Sequence, residues 1–79
     1  MSNLRPLSAI AQEIRKEWKS VYFGAVPYLD AMSTMQSAKE KYGWDDGSSI
    51  VLYFLSNANT FRGEAAKRIK AELKAHLQA

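Results

Sequence analysis

Apolar side chains at Leu7, Ile10, Ala11, Ile14, Trp18 and Val21 recur three and four residues apart. That spacing places them in one stripe of a 3.6-residue helix and predicts a first helix over about 6–20. Pro6 suits its first turn, where a missing N–H has no partner to lose, and Glu13 with Lys16 falls on the opposite, solvated face. The period breaks at Val21-Tyr22-Phe23-Gly24-Ala25-Val26, which reads as a connection packed by its own aromatics and punctuated by Gly24 and Pro27. A second helix is predicted from Pro27, with Leu29, Met32 and Met35 on one face, Ala38 and Tyr42 extending it, and Gly43 as the left-handed residue that ends it. Trp44-Asp45-Asp46-Gly47-Ser48 follows as a loop, in which Asp46 or Ser48 is placed to cap a third helix over about 48–57.

That third segment, Ile50-Val51-Leu52-Tyr53-Phe54-Leu55, is apolar all round and rich in strand formers. A strand needs a partner, and the other candidate, residues 21–26, is short and broken by Gly24. A buried central helix is therefore the preferred reading. Asn57-Ala58-Asn59-Thr60 makes a short turn, with Thr60 placed to cap a fourth helix over about 61–77 whose apolar residues Phe61, Ala65, Ile69, Leu73 and Leu77 fall at four-residue steps. No repeat, low-complexity tract or linker interrupts the pattern. The expectation is an all-α fold: one compact domain over 1–79, with four short helices and the third buried at the centre.

Composition narrows the chemistry more than the fold. A chain of 79 residues buries roughly 60–65 % of its unfolded surface, enough for one small core. With 47 % hydrophobic and 24 % charged residues and a net charge of +3, it sits among soluble globular domains. It has no cysteine, which excludes disulfides, iron–sulfur clusters, a cysteine nucleophile and cysteine zinc sites, and its single histidine, His76, supplies no histidine cluster. No run of about 18 apolar residues is present, and Met1-Ser2-Asn3-Leu4-Arg5-Pro6 lacks the apolar stretch of a signal peptide, so a cytoplasmic, non-membrane protein is expected.

Asp45 and Asp46 lack the spaced oxygens and closing glutamate of a calcium loop and read as turn and cap residues. His76, near the end of the fourth helix, reads as a surface or core-rim residue that favours the C-terminal dipole. The serines at 2, 8, 20, 33, 37, 48, 49 and 56 fall in neither Gly-x-Ser-x-Gly nor Ser-x-x-Lys, and the scattered glycines form no phosphate loop. No catalytic residue, metal ligand or cofactor is assigned, and a non-enzymatic protein is expected.

Two surfaces carry positive signals. Arg62, Lys67, Arg68, Lys70 and Lys74 lie on the fourth helix against Glu64 and Glu72, and Lys67, Lys70 and Lys74 line one outer strip. The plainer and preferred reading is a solvated lysine face steadied by a Glu64–Arg68 pair. The functional alternative is a helix-turn-helix over residues 48–77 that presents Thr60, Arg62, Glu64, Lys67 and Arg68 to DNA, against which stands a pI of about 9.3 with no dense basic arm. The second signal is aromatic. Tyr22, Phe23, Tyr28 and Trp44 lie in or beside the two loops, where amphipathic rings either plug the ends of the bundle, the favoured reading of these residues, or anchor a protein partner or a second copy of the chain.

The strings Tyr22-Phe23-Gly24-Ala25-Val26-Pro27-Tyr28-Leu29-Asp30-Ala31-Met32, Ser49–Ala58, Thr60-Phe61-Arg62-Gly63-Glu64 and Arg68–Lys74 resemble a family of small uncharacterised proteins encoded by tailed phages and prophages of bacteria. The resemblance covers nearly the whole chain. It implies expression inside an infected or lysogenic bacterial cell, tryptophan as a frequent alternative at Phe61, and a variable loop from Gly43 to Gly47. It carries no activity and no ligand residue. The leading expectation is a phage or prophage accessory protein that binds a host or phage protein through Tyr22, Phe23, Tyr28 and Trp44. A DNA-binding regulator using Thr60, Arg62, Lys67 and Arg68 is the alternative, and a homo-oligomer through paired aromatic surfaces is compatible with either.

Overall fold

The computed structural model describes residues 4–78, with the backbone alone at Tyr42; Ser2 lies outside them, as does the face assigned to the Tyr42 side chain. Helix α1 (Leu7–Glu17) buries Leu7, Ile10, Ala11 and Ile14, the first four residues of the predicted stripe, while Trp18 and Val21 fall beyond its end. It ends earlier than the pattern suggests, because Trp18 turns off the helix (φ −99°, ψ 94°) while its N–H still donates to the Ile14 carbonyl at 2.7 Å. The buried indole then lies nearly parallel to Phe61, with ring centroids 5.2 Å apart, and edge-on to Phe54 at 6.1 Å. Such paired rings add to the stabilisation their buried area already gives.

A single 3-10 turn, Phe23–Ala25, leads into α2 (Val26–Met32), which stops ten residues before the predicted end at Tyr42. The Ser33 and Thr34 hydroxyls donate to the carbonyls of Asp30 and Ala31 at 2.6 and 2.9 Å. The Thr34 and Met35 amides close tighter three-residue turns on Ala31 and Met32 at 3.1 Å. These local bonds compete with continuation of the helix. Met35 and Ala38 are nonetheless buried, so their spacing reported burial and not helix. The irregular stretch has a structural use: the carbonyls of Gln36 and Met35 accept from the Leu7 and Ser8 amides at 3.0 and 2.8 Å, satisfying α1's first donors without a side-chain cap.

Residues expected as helix end and loop form a small antiparallel hairpin, β1 (Lys41–Tyr42) and β2 (Asp45–Asp46), with Lys41 opposite Asp46 and Tyr42 opposite Asp45. Gly43 is a residue of its two-residue turn, not a helix C′ residue. Helix α3 (Gly47–Ser56) follows directly. Asp46 precedes it without a side-chain cap bond, and Ser48 is already inside it. Gly47 is buried, and its N–H donates to the Glu40 carbonyl at 2.6 Å. A Cβ there would stand 2.7 Å from that carbonyl oxygen, 2.7 Å from Met35 Cε and 2.8 Å from the Ala38 carbonyl oxygen.

The strand-forming composition of 50–55 is overridden, as the preferred reading held. Yet α3 is not buried all round: Ile50, Val51 and Phe54 face the core, whereas Leu52 and Tyr53 are about half exposed. Helix α4 (Glu64–Gln78) buries Ala66, Ile69, Leu73 and His76. It starts three residues later than predicted because Gly63 has φ +109°, outside helical space, so Thr60 does not cap it. The Lys67 amide makes α4's first bond to the Gly63 carbonyl at 3.0 Å.

The four helices enclose one core, α2 against α3 and α1, α4 against α1 and α3, with β2 at the start of α3. The radius of gyration is 11.3 Å, close to the roughly 11.6 Å expected of a compact chain this long. Because two of the three atoms crowding Gly47 are backbone oxygens, Gly47→Ala is expected to destabilise the fold by about 1–3 kcal/mol. Urea unfolding should show this as a lower midpoint at unchanged slope; an unchanged midpoint contradicts it.

Candidate functional site

An ion network at the seam of α1, α4 and the N-terminal segment decides which cations face solvent unpaired. The Arg5 guanidinium donates to both Glu72 oxygens at 2.8 Å and to Glu13 at 2.7 Å. Arg68 also donates to Glu13, and to Glu72 at 3.0 Å. Two arginines and two glutamates thus alternate around a closed, neutral set. The segment carrying Arg5 is held a second time by buried His76, whose Nε2 lies 2.7 Å from the Arg5 carbonyl oxygen. A carbonyl only accepts, so Nε2 carries the hydrogen and donates.

This arrangement corrects two sequence readings: Glu13 is not on a free solvated face, and Arg68 does not pair with Glu64. The Arg68 guanidinium, assigned to the DNA-binding alternative, is engaged by two carboxylates. The connection from α3 to α4 also spans residues 57–63, twice the three-to-four-residue turn of a helix-turn-helix. Of the residues assigned to that alternative, Thr60, Arg62 and Lys67 are exposed, and Arg62 Nε donates to the Asn59 carbonyl at 3.1 Å.

The aromatic residues divide sharply. Trp18, Phe54 and Phe61 are buried, whereas Phe23 is 79 % exposed, with Tyr22 tilted against it at a ring separation of 4.9 Å. Tyr28 is half-buried and pairs with exposed Tyr53 at 5.4 Å, bringing α2 and α3 together at their outer edge. Trp44 stands fully exposed in the hairpin turn. Plugging the ends of the bundle therefore does not describe Tyr22, Phe23 or Trp44. Nor do the four loop aromatics form one cluster: Gly24, beside Tyr22, lies against Asn57 at the C-terminal end of α3, while Trp44 precedes the N-terminal end. A helix of ten residues separates them by about 15 Å. Leu52 and Tyr53 were missed as surface residues because an unbroken apolar run carries no sign of which side faces out.

Two clefts flank the 57–63 connection. One, of about 280 Å³, is lined by Tyr22, Ser56, Asn57, Asn59 and Thr60, all uncharged. The other, of about 470 Å³, runs along the start of α4 between Phe61, Arg62, Gly63, Glu64, Ala66, Lys67 and Lys70. Lys70 Nζ is fixed in it, donating to the Ala58 carbonyl at 2.9 Å and lying 5.9 Å from the centre of the Phe61 ring. Its partial burial, and then the charges of Arg62 and Lys74, lower its pKa below the ordinary lysine value. Among the described residues no group of three or more His, Asp or Glu side chains is arranged to hold a metal, and no helix is long and apolar enough to cross a membrane.

No family model, curated protein or solved structure matches the chain.

The network has a pH signature. Arg68, and next Arg5, hold the Glu13 carboxyl below its ordinary value of 4.5. A carboxylate with a lowered folded-state pKa contributes stability that is complete above the unfolded value and is lost as pH falls through the folded one. Unfolding free energy should therefore decline below pH 4.5, and Glu13→Gln should make that decline shallower by roughly 1 kcal/mol, the screened scale of a half-exposed pair. Denaturant titrations of both proteins across the acid range measure it; superimposable pH profiles contradict it.

Proposed function

We propose that this chain is a non-catalytic accessory protein of phage or prophage origin, acting in the bacterial cytoplasm by binding a protein partner through its exposed aromatics. The observation that carries the reading is the Tyr22–Phe23 pair, two rings in mutual contact of which Phe23 is 79 % exposed. Burying a phenylalanine recovers about 1.5–3 kcal/mol, and this fold leaves that gain unused. The backbone that carries the pair is held, since the 3-10 turn beginning at Phe23 closes through the Ala25 amide on the Tyr22 carbonyl at 2.8 Å and Gly24 lies close against the Tyr22 ring and Asn57. A backbone ordered in advance reduces the entropy lost on binding. Leu52, Tyr53 and the edge of Tyr28 add apolar surface on α2 and α3. The neutral cleft beside Tyr22, with its amides and hydroxyls, suits a partner's backbone groups.

Affinity capture with the immobilised full chain from a bacterial host lysate tests this. One protein should be retained in stoichiometric amount and be lost, through a tenfold to hundredfold weaker affinity, from the doubly substituted Tyr22→Ala, Phe23→Ala chain. Both side chains are exposed, so the variant should melt like the parent. Failure to retain any stoichiometric protein, or equal retention by the variant, overturns the reading.

A further inference from the structure

We propose that the strip formed by Arg62, Lys67, Lys70 and Lys74 is a sequence-independent docking surface for the phosphodiester backbone of a nucleic acid. It depends neither on the protein-binding reading nor on a helix-turn-helix, and it replaces Arg68 with two lysines of the outer strip.

Charge is distributed unevenly over the surface. Arg5 and Arg68 are neutralised by Glu13 and Glu72, and Arg15 pairs with Asp30. Arg62, Lys67 and Lys70 line the groove at the start of α4 together with one acid, Glu64, and Lys74 lies near enough to Lys70 to act on its charge. None of the four forms an ion pair among the described residues. Their mutual repulsion, felt by Lys70 from Arg62 and Lys74, is a cost that an incoming anion would remove.

Shape selects the kind of anion. Lys67, Lys70 and Lys74 stand at i, i+3 and i+7 on one side of a helix, a row about 10 Å long. One nucleic-acid strand presents a charge about every 3.4 Å along its axis, so such a row spans roughly three phosphate-to-phosphate intervals where a single phosphate would engage one end. The surface is concave, and its one large apolar side chain, Phe61, is 2 % exposed under Lys70. A strand seats in that shape better than a flat bilayer, which favours an exposed apolar anchor beside the charges.

Fluorescence anisotropy with the full chain and a labelled 20-base-pair duplex, or the corresponding single strand, tests the proposal. With four contacts, duplex affinity should fall roughly a hundredfold between 50 and 200 mM salt, at a logarithmic slope of about −3.6, and somewhat less steeply for the single strand. Lys67→Gln with Lys74→Gln should weaken binding and reduce the slope by about two. Lys39→Gln with Lys41→Gln, at the hairpin, should leave both unchanged, and so should Tyr22→Ala with Phe23→Ala. Absence of binding at low salt, an unaltered slope in the Lys67/Lys74 variant, equal loss in the hairpin variant, or binding to phosphatidylserine vesicles but to neither nucleic acid would overturn it.

Discussion

The stacking of Trp18 on Phe61 ties the end of α1 to the middle of the α3–α4 connection, and the outer surfaces follow from that contact. Trp18 leaves the helix to make it, which closes α1 at Glu17. Phe61 supplies the other ring and so holds a seven-residue connection that has no regular structure of its own. With Phe61 fixed, Lys70 lies over its ring and bonds the Ala58 carbonyl, so one cation of the basic groove is positioned by the core itself. The same small core takes Trp18, Phe54 and Phe61 and leaves Tyr22 and Phe23 outside, on the other flank of the connection.

Electrostatics divides the surface in a related way. Arg5, Glu13, Arg68 and Glu72 close a neutral set where α1 meets α4, and His76 fastens the backbone of Arg5 beneath it. Helix α4 is therefore basic on one side and neutralised on the other. The sequence-independent groove proposed for nucleic acid and the aromatic pair proposed for a protein partner lie on either side of residues 57–63, so the two can be occupied without sharing a side chain.

Much of the fold was legible because burial imposes a period on apolar residues. The stripe of α1 and the inner residues Ile69 and Leu73 follow from spacing, and the helical state of 50–55 from the lack of a strand to pair with it. Where spacing misled, a local bond or a long-range contact intervened. Met35 and Ala38 are buried at helical spacing but not in a helix, since Ser33 and Thr34 bond back to the preceding turn. Gly47 reads as an ordinary loop glycine until the Glu40 and Ala38 carbonyls are seen against it. Among the candidate site residues, the loop positions of Tyr22, Phe23 and Trp44 and the row of lysines were visible in the sequence, but the exposure of the three rings was not, because an aromatic in a loop reads equally as a plug for the bundle end. The engagement of Arg68 was not, because its partner Glu13 is 55 residues away and no local pattern couples them.

The division of aromatics between core and surface underlies the whole account, and the two tryptophans report it directly. Trp18 is 5 % exposed and Trp44 fully exposed. Fluorescence and acrylamide quenching of the single-tryptophan variants Trp44→Phe and Trp18→Phe separate them. The account predicts blue-shifted, weakly quenched emission from Trp18 and red-shifted, freely quenched emission from Trp44. Equal quenching of the two, or protection of Trp44 in a monomeric chain, would contradict it.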